Sequence, residues 1–195
     1  MSRVAINRNV SSPLQNSGAV ERINYRFYDT VSITNGLTTN VTPFATPALN
    51  DATGNFEGTG AMPAGQAFEV YAIRAFPNPS ARADDVAALL NAAVLTFTKE
   101  NSKRYAMGPL YMFPAGMGLS SDLVTAAAVP AAPANSLNFA ANGVPVYGNV
   151  YSFKMPVVLY PQQSFKIVIT PGAPVLAATI TLRIILEGVL SRNLI

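Results

Sequence analysis

Two strictly patterned apolar segments lie between Tyr160 and Leu190, separated by the turn Thr170-Pro171-Gly172-Ala173-Pro174, and few folds accommodate that arrangement. In Thr179 to Glu187, the residues Ile180, Leu182, Ile184 and Leu186 share one parity, while Thr179, Thr181, Arg183, Ile185 and Glu187 share the other. Side chains alternate across a strand with period two, so the segment predicts a strand with one dry face. A helix would let Arg183 pair with Glu187 four residues on, but Thr and Ile dominate here and suit a pleated surface. Ser164 to Ile169 alternates in the same way, with Phe165, Ile167 and Ile169 opposite Lys166 and Val168.

A chain of 195 residues closes one substantial all-β core without covalent staples. Only 12% of it is charged and half is apolar, so its surface offers few charges and association is the first expectation. No window holds ~18 uncharged apolar residues, since Arg183 and Glu187 interrupt the best one. Met1 to Asn9 lacks the hydrophobic centre of a signal peptide. There is no cysteine, hence no disulfide, thiol catalysis or thiolate metal site. There is no histidine either, which excludes Ser/His/Asp catalysis and histidine-metal chemistry. The formal charge of +3 is modest for a nucleic-acid binder.

Residues 1–20 contain Arg3 and Arg8, no acid before position 21, and many Asn and Ser; they predict an extended arm. Arg3 and Arg8 are a weak candidate contact with a neighbour or with phosphates. Residues 21–195 read as one domain. It opens on alternating Ile23, Tyr25 and Phe27, running on through Val31 and Ile33. Asn35-Gly36 predicts a hairpin returning through Leu37 to Val41. Thr42 to Ala64, broken by three prolines and three glycines, predicts a long functional or partner-contacting loop. Gln66 to Ile73 predicts a strand with Phe68, Val70 and Ala72 on one side, and its opening resembles that of Gln163 to Ile169. Asn78-Pro79-Ser80 predicts the start of a short helix with Asp84 and Asp85 in its first turn and Val86, Leu89, Leu90 and Ala93 on its apolar side. Val94 to Lys99 and Arg104 to Phe113 predict strands, the second kinked or held at an edge by Gly108-Pro109. Pro114 to Gly148 is proline-rich and nearly uncharged, which predicts a segment wrapped over its own domain or a neighbouring subunit. Asn149 to Met155 and Val157 to Tyr160 predict two strands divided by Pro156.

Candidate chemistry is sparse. Adjacent Asp84 and Asp85 point about 100° apart on a helix, which suits a role at the helix start better than a carboxylate dyad. Glu57, Asp51 and Asp122 offer oxygen ligands without calcium-loop spacing. Gly54 to Gly60 lacks the lysine of a phosphate loop. Aromatic and basic residues interleave at Arg22, Tyr25, Arg26, Phe27 and Tyr28, and again at Lys103, Arg104, Tyr105 and Tyr111, a composition that can stack bases or sugars. The dry parity of Tyr25 and Phe27 favours core packing for the first group. No catalytic residue, cofactor site, metal site or small-molecule substrate is predicted.

Ile23 to Val41, Gln66 to Ala75, Val94 to Lys99, Arg104 to Phe113, Asn149 to Tyr160 and Gln163 to Glu187 form a series of short strands with one inserted helix, two long loops and a polar arm. In this pattern the chain resembles the single jelly-roll capsid proteins of tailless or membrane-containing icosahedral bacteriophages. The resemblance implies a jelly-roll β-sandwich, self-assembly into a virion shell as a major, vertex or cement protein, and contacts with copies of itself and other capsid proteins. It also implies weak contact of the arm with a genome or inner membrane. A receptor- or glycan-binding β-sandwich of a phage particle is the alternative.

Overall fold

The computed structural model describes residues 20–78, 81–100, 103–115, 120–121, 140–141 and 150–193. Its elements, in chain order, are β1 (Val20–Ile33), β2 (Gln66–Pro77), α1 (Ala83–Ala92), β3 (Val94–Lys99), β4 (Lys103–Pro109), a single 3-10 turn (Leu110–Met112), β5 (Ser120–Ser121), β6 (Ala140–Ala141), β7 (Tyr151–Leu159), β8 (Phe165–Thr170) and β9 (Ile180–Asn193). One sheet has the order β1-β9-β2-β7, a second has β4-β3-β8, and β5 pairs with β6. All these pairings are antiparallel. The protein is an all-β sandwich, and α1 is its only α-helix among the described residues.

The dry face expected of β9 is observed: Ile180, Leu182, Ile184 and Leu186 are buried, while Thr181, Arg183, Ile185 and Glu187 alternate with them at the outer face. Phe165, Ile167 and Ile169 of β8 are buried from the opposite sheet. Rings seal the interior. Phe27 packs edge-on against Phe68 at 4.8 Å and Phe56 at 5.2 Å, and Phe56 packs against Phe165 of the second sheet at 5.3 Å. Each such pair adds about 0.5–1.5 kcal/mol beyond its area burial. The cluster continues through Phe97 of β3, which lies 6.4 Å from Phe165 and meets Phe153 of β7 at 6.1 Å. These contacts link β1 to β8 through Phe56 and stack β7 over β3.

The expected hairpin at Asn35-Gly36 does not form, although the turn does, with Gly36 at φ +66°. Val41 crosses to the other sheet and bridges Ile169 of β8, and β1 pairs along its whole length with β9. Long-range pairing overrides the local signal because β9 offers an apolar face matched to that of β1. The loop from Thr42 to Ala64 is packed on its own sandwich: Phe44, Phe56 and Met62 are buried core residues.

Three further boundaries differ from expectation. The N-cap of α1 is Arg82, with no side-chain cap. Asn78 instead joins β9, where its Oδ1 accepts from the Thr181 N–H at 3.0 Å. The strand from Arg104 ends at Pro109 and gives way to the 3-10 turn, and β4 lies at a sheet edge as Gly108-Pro109 led us to expect. Pro156 does not divide β7. It sits in a bulge of that edge strand, where Phe153 to Pro156 face Tyr71 alone between the Val70–Val157 and Ala72–Ser152 pairs. Against β9, Tyr71 is itself the extra residue, between the Val70–Gly188 and Ala72–Glu187 pairs, and this β2 bulge flips the parity of the strand, so Phe68 and Val70 are followed into the core by Ile73 and Ala75.

Candidate functional site: the surfaces of the sandwich

Arg3, Arg8 and Asp122 lie outside the described residues. The other residues singled out from sequence are dispersed over the molecule. Asp84 is exposed and Asp85 is buried; the Asp85 carboxylate accepts the backbone N–H groups of Ala177 at 2.9 Å and Ala178 at 3.2 Å. Asp85 therefore ties α1 to the loop entering β9, a structural task beyond the helix-start role expected of it. Asp51 and Glu57 are exposed on the loop after β1 and do not converge; no group of three or more acidic residues able to hold a metal ion exists among the described residues. Gly54 and Gly58 serve packing. A Cβ on Gly58 would meet the Ala61 carbonyl oxygen at 2.2 Å, and one on Gly54 would meet the Tyr28 oxygen at 3.0 Å.

The two aromatic–basic groups separate cleanly. In the first, Phe27 enters the core with Tyr25 packed beside it, and Arg183 lies over the Tyr28 ring at 5.2 Å. Its arginines are engaged: Arg22 pairs with Glu69 at 2.5 Å, and Arg26 and Arg74 hold Glu187 at 2.9 and 3.1 Å. The outer face of the first sheet also carries an open groove of about 620 Å³, lined by Asn24, Arg26, Tyr71, Glu187 and Val189 among others.

The second group is on the surface. Lys103 and Arg104 are exposed, Tyr105 is 38% and Tyr111 is 56% exposed, and no ion pair engages either cation among the described residues. Around them stand Met107 at 59%, Met112 at 45% and, on the neighbouring edge strand β7, Met155 at 81% exposure. This lateral margin combines the edges of both sheets. Lys99 stitches it together from within: its ammonium donates to the Val158 carbonyl of β7 at 2.6 Å and sits over the Tyr160 ring at 5.1 Å. Burial holds the Lys99 pKa below its ordinary value of 10.5, with Lys103 acting in the same direction and Glu100 opposing.

The opposite margin is finished differently. The loop after β1 folds back on that strand, where the Asn55 N–H donates to Tyr28 O at 3.1 Å and the Tyr28 N–H donates to Asn55 Oδ1 at 2.8 Å. Gly54 bridges Asp29 there, so part of the β1 edge is covered. The loop carries Leu49, 96% exposed, two residues from Asp51. Sequence reasoning missed Leu49 and the exposed methionines, because an apolar residue in a sequence signals burial.

Compared with models of known protein families and with curated proteins, the chain matches none.

Proposed function

We propose that the chain is a structural subunit of an icosahedral virus shell, either the major capsid protein or a vertex or cement protein, acting in the virion through contacts with copies of itself and with other shell proteins. The observation that carries this reading is the strand order. With the Val41 bridge appended beyond β8, four strands β1-β9-β2-β7 face four strand positions in the order Val41-β8-β3-β4. Eight antiparallel positions in two facing sheets connected in that order are what a double Greek key produces, the topology shared by the jelly rolls of viral shells, lectin domains and cupins. The exposed apolar residues on both lateral margins support repeated burial by symmetric association. A chain without histidine or cysteine lacks Ser–His and Cys–His pairs, which leaves fewer routes to nucleophilic catalysis.

Light scattering on the purified chain, with electron microscopy of the same material, tests the proposal. Discrete oligomers or closed shells are expected; a chain that stays solitary at high concentration overturns it.

The groove on the first sheet favours a second reading, a glycan-binding sandwich. An aromatic wall at Tyr71, the amide of Asn24 and the Arg26–Glu187 pair form a set that suits sugar hydroxyls. Glycan binding by a monomer, lost in Tyr71→Ala, would establish this reading in place of the first.

A further inference from the structure

Building on the self-assembly reading, we infer that the two lateral margins of the sandwich are complementary halves of one head-to-tail contact: the loop bearing Leu49 and Asp51 on one copy docks on the Met107, Met112 and Met155 margin of the next. The sheet orders place these surfaces on opposite sides of the molecule, because β1 and β7 bound the first sheet while Val41 and β4 bound the second. One margin offers an almost fully exposed leucine; the other offers three exposed methionines flanked by Tyr105 and Tyr111. Methionine is unbranched and adaptable, and Met, Tyr and Arg are enriched at protein contacts.

The charges agree with the shapes. From Val41 to Gly65 the chain carries Asp51 and Glu57 and no Lys or Arg, whereas Lys103 to Phe113 carries Lys103 and Arg104 and no acid. Arg183 reaches the loop at the Ala52 carbonyl, so that margin sets two carboxylates against one cation and the other sets cations against none within its segment; this difference in sign favours head-to-tail docking of successive copies over the pairing of two basic margins. The β4 edge has no further strand beyond it among the described residues, while the β1 edge is partly covered by its own loop. A contact of this kind is heterologous, and it closes into a ring when the rotation between copies allows. Nucleic acid is the less favoured occupant of the basic margin, because the methionines give it nothing to pair with.

Two variants and their mixture test the inference. Leu49→Asp disables the loop and Met155→Asp disables the opposite margin; both residues are exposed, so each protein should melt as the wild type does. Each alone should associate about thirty-fold more weakly or worse, the loss typical of a central anchor. Mixed, they should form a one-to-one heterodimer, because each retains the half that the other lacks, and growth should stop there. Wild-type association with neither variant impaired, or no heterodimer on mixing, overturns the head-to-tail contact while leaving self-assembly standing. A wild-type chain that never associates overturns both. Arg104→Glu that reduces oligonucleotide binding and leaves association unchanged assigns the margin to nucleic acid and overturns the inference.

Discussion

At the scale of single residues, the interior holds a carboxylate only where it has partners, as at Asp85 and Glu69. Ile184 is fully buried on the inner face of β9, between Ala75 of β2 and Asp29 of β1, whose carboxylate is already engaged by the Thr30 and Phe44 N–H groups and offers a second carboxylate no partner. Ile184→Asp should cost about 3–5 kcal/mol, combining lost packing with an unpaired buried carboxylate. Urea denaturation measures this, and an unchanged midpoint would mean that the strand faces the other way. Lys99 behaves differently because its head reaches a carbonyl and a ring. With its folded-state pKa lowered by burial, the unfolded chain binds more protons than the folded one in the alkaline window just under 10.5. Stability contributed by this group therefore rises with pH through that window, and it is constant at lower pH, where Lys99 is charged in both states. Comparing urea midpoints at about pH 8 and about pH 10, the wild type should gain relative to Lys99→Met. A parallel shift in the two proteins would show that Lys99 is not perturbed.

At the scale of elements, what sequence reveals is periodicity and what it hides is company. The alternation of β8 and β9 survives intact in the structure, since each strand buries one face and every second residue reports it. The apolar side of α1 is equally legible, as Val86, Leu89, Leu90 and Ala93 are all buried. By contrast, Phe44, Phe56 and Met62 obey no period, because their loop is irregular and only its docking on Phe27 and Phe165 brings them inside. The β2 bulge was hidden for a related reason: it depends on what lies across the strand. Gly188 permits it, as a Cβ there would stand 2.0 Å from the Glu69 carbonyl oxygen. Of the candidate surface, Lys103, Arg104, Tyr105 and Tyr111 announced themselves by composition, whereas the exposure of Leu49 and Met155 could be known only from the fold. The anchoring of the loop into β9 gives a prediction at this scale. Asp85→Ala leaves two backbone N–H groups without their acceptor and should lower stability by about 1–3 kcal/mol. Hydrogen exchange should quicken first at Ala177 and Ala178; loss confined to the α1 amides would place the anchor elsewhere.

At the scale of the whole molecule, the question is which parts hold the domain together and which serve its neighbours. The buried apolar side chains of the described core run from Phe27 to Leu190, and β1 is already paired with β9 at Val20. The basic, asparagine-rich residues before it contain too little apolar surface to supply a core of their own. In the proposed shell such a segment contributes most by lying along another subunit, where its ordering is offset by contacts that the isolated domain does not offer. Deleting Met1 to Gly18 should therefore leave the melting temperature of the domain unchanged while weakening its assembly, as read by light scattering at matched concentrations. Raising the salt concentration should separate the arm from the lateral contact. If Arg3 and Arg8 act through charge, the full-length chain loses its advantage over the truncated one as screening increases. Both proteins should retain the association driven by the Leu49 and methionine surfaces. Equal assembly of the two proteins at low salt would show that residues 1–18 play no part, leaving the proposed contact between the margins of the sandwich to account for association.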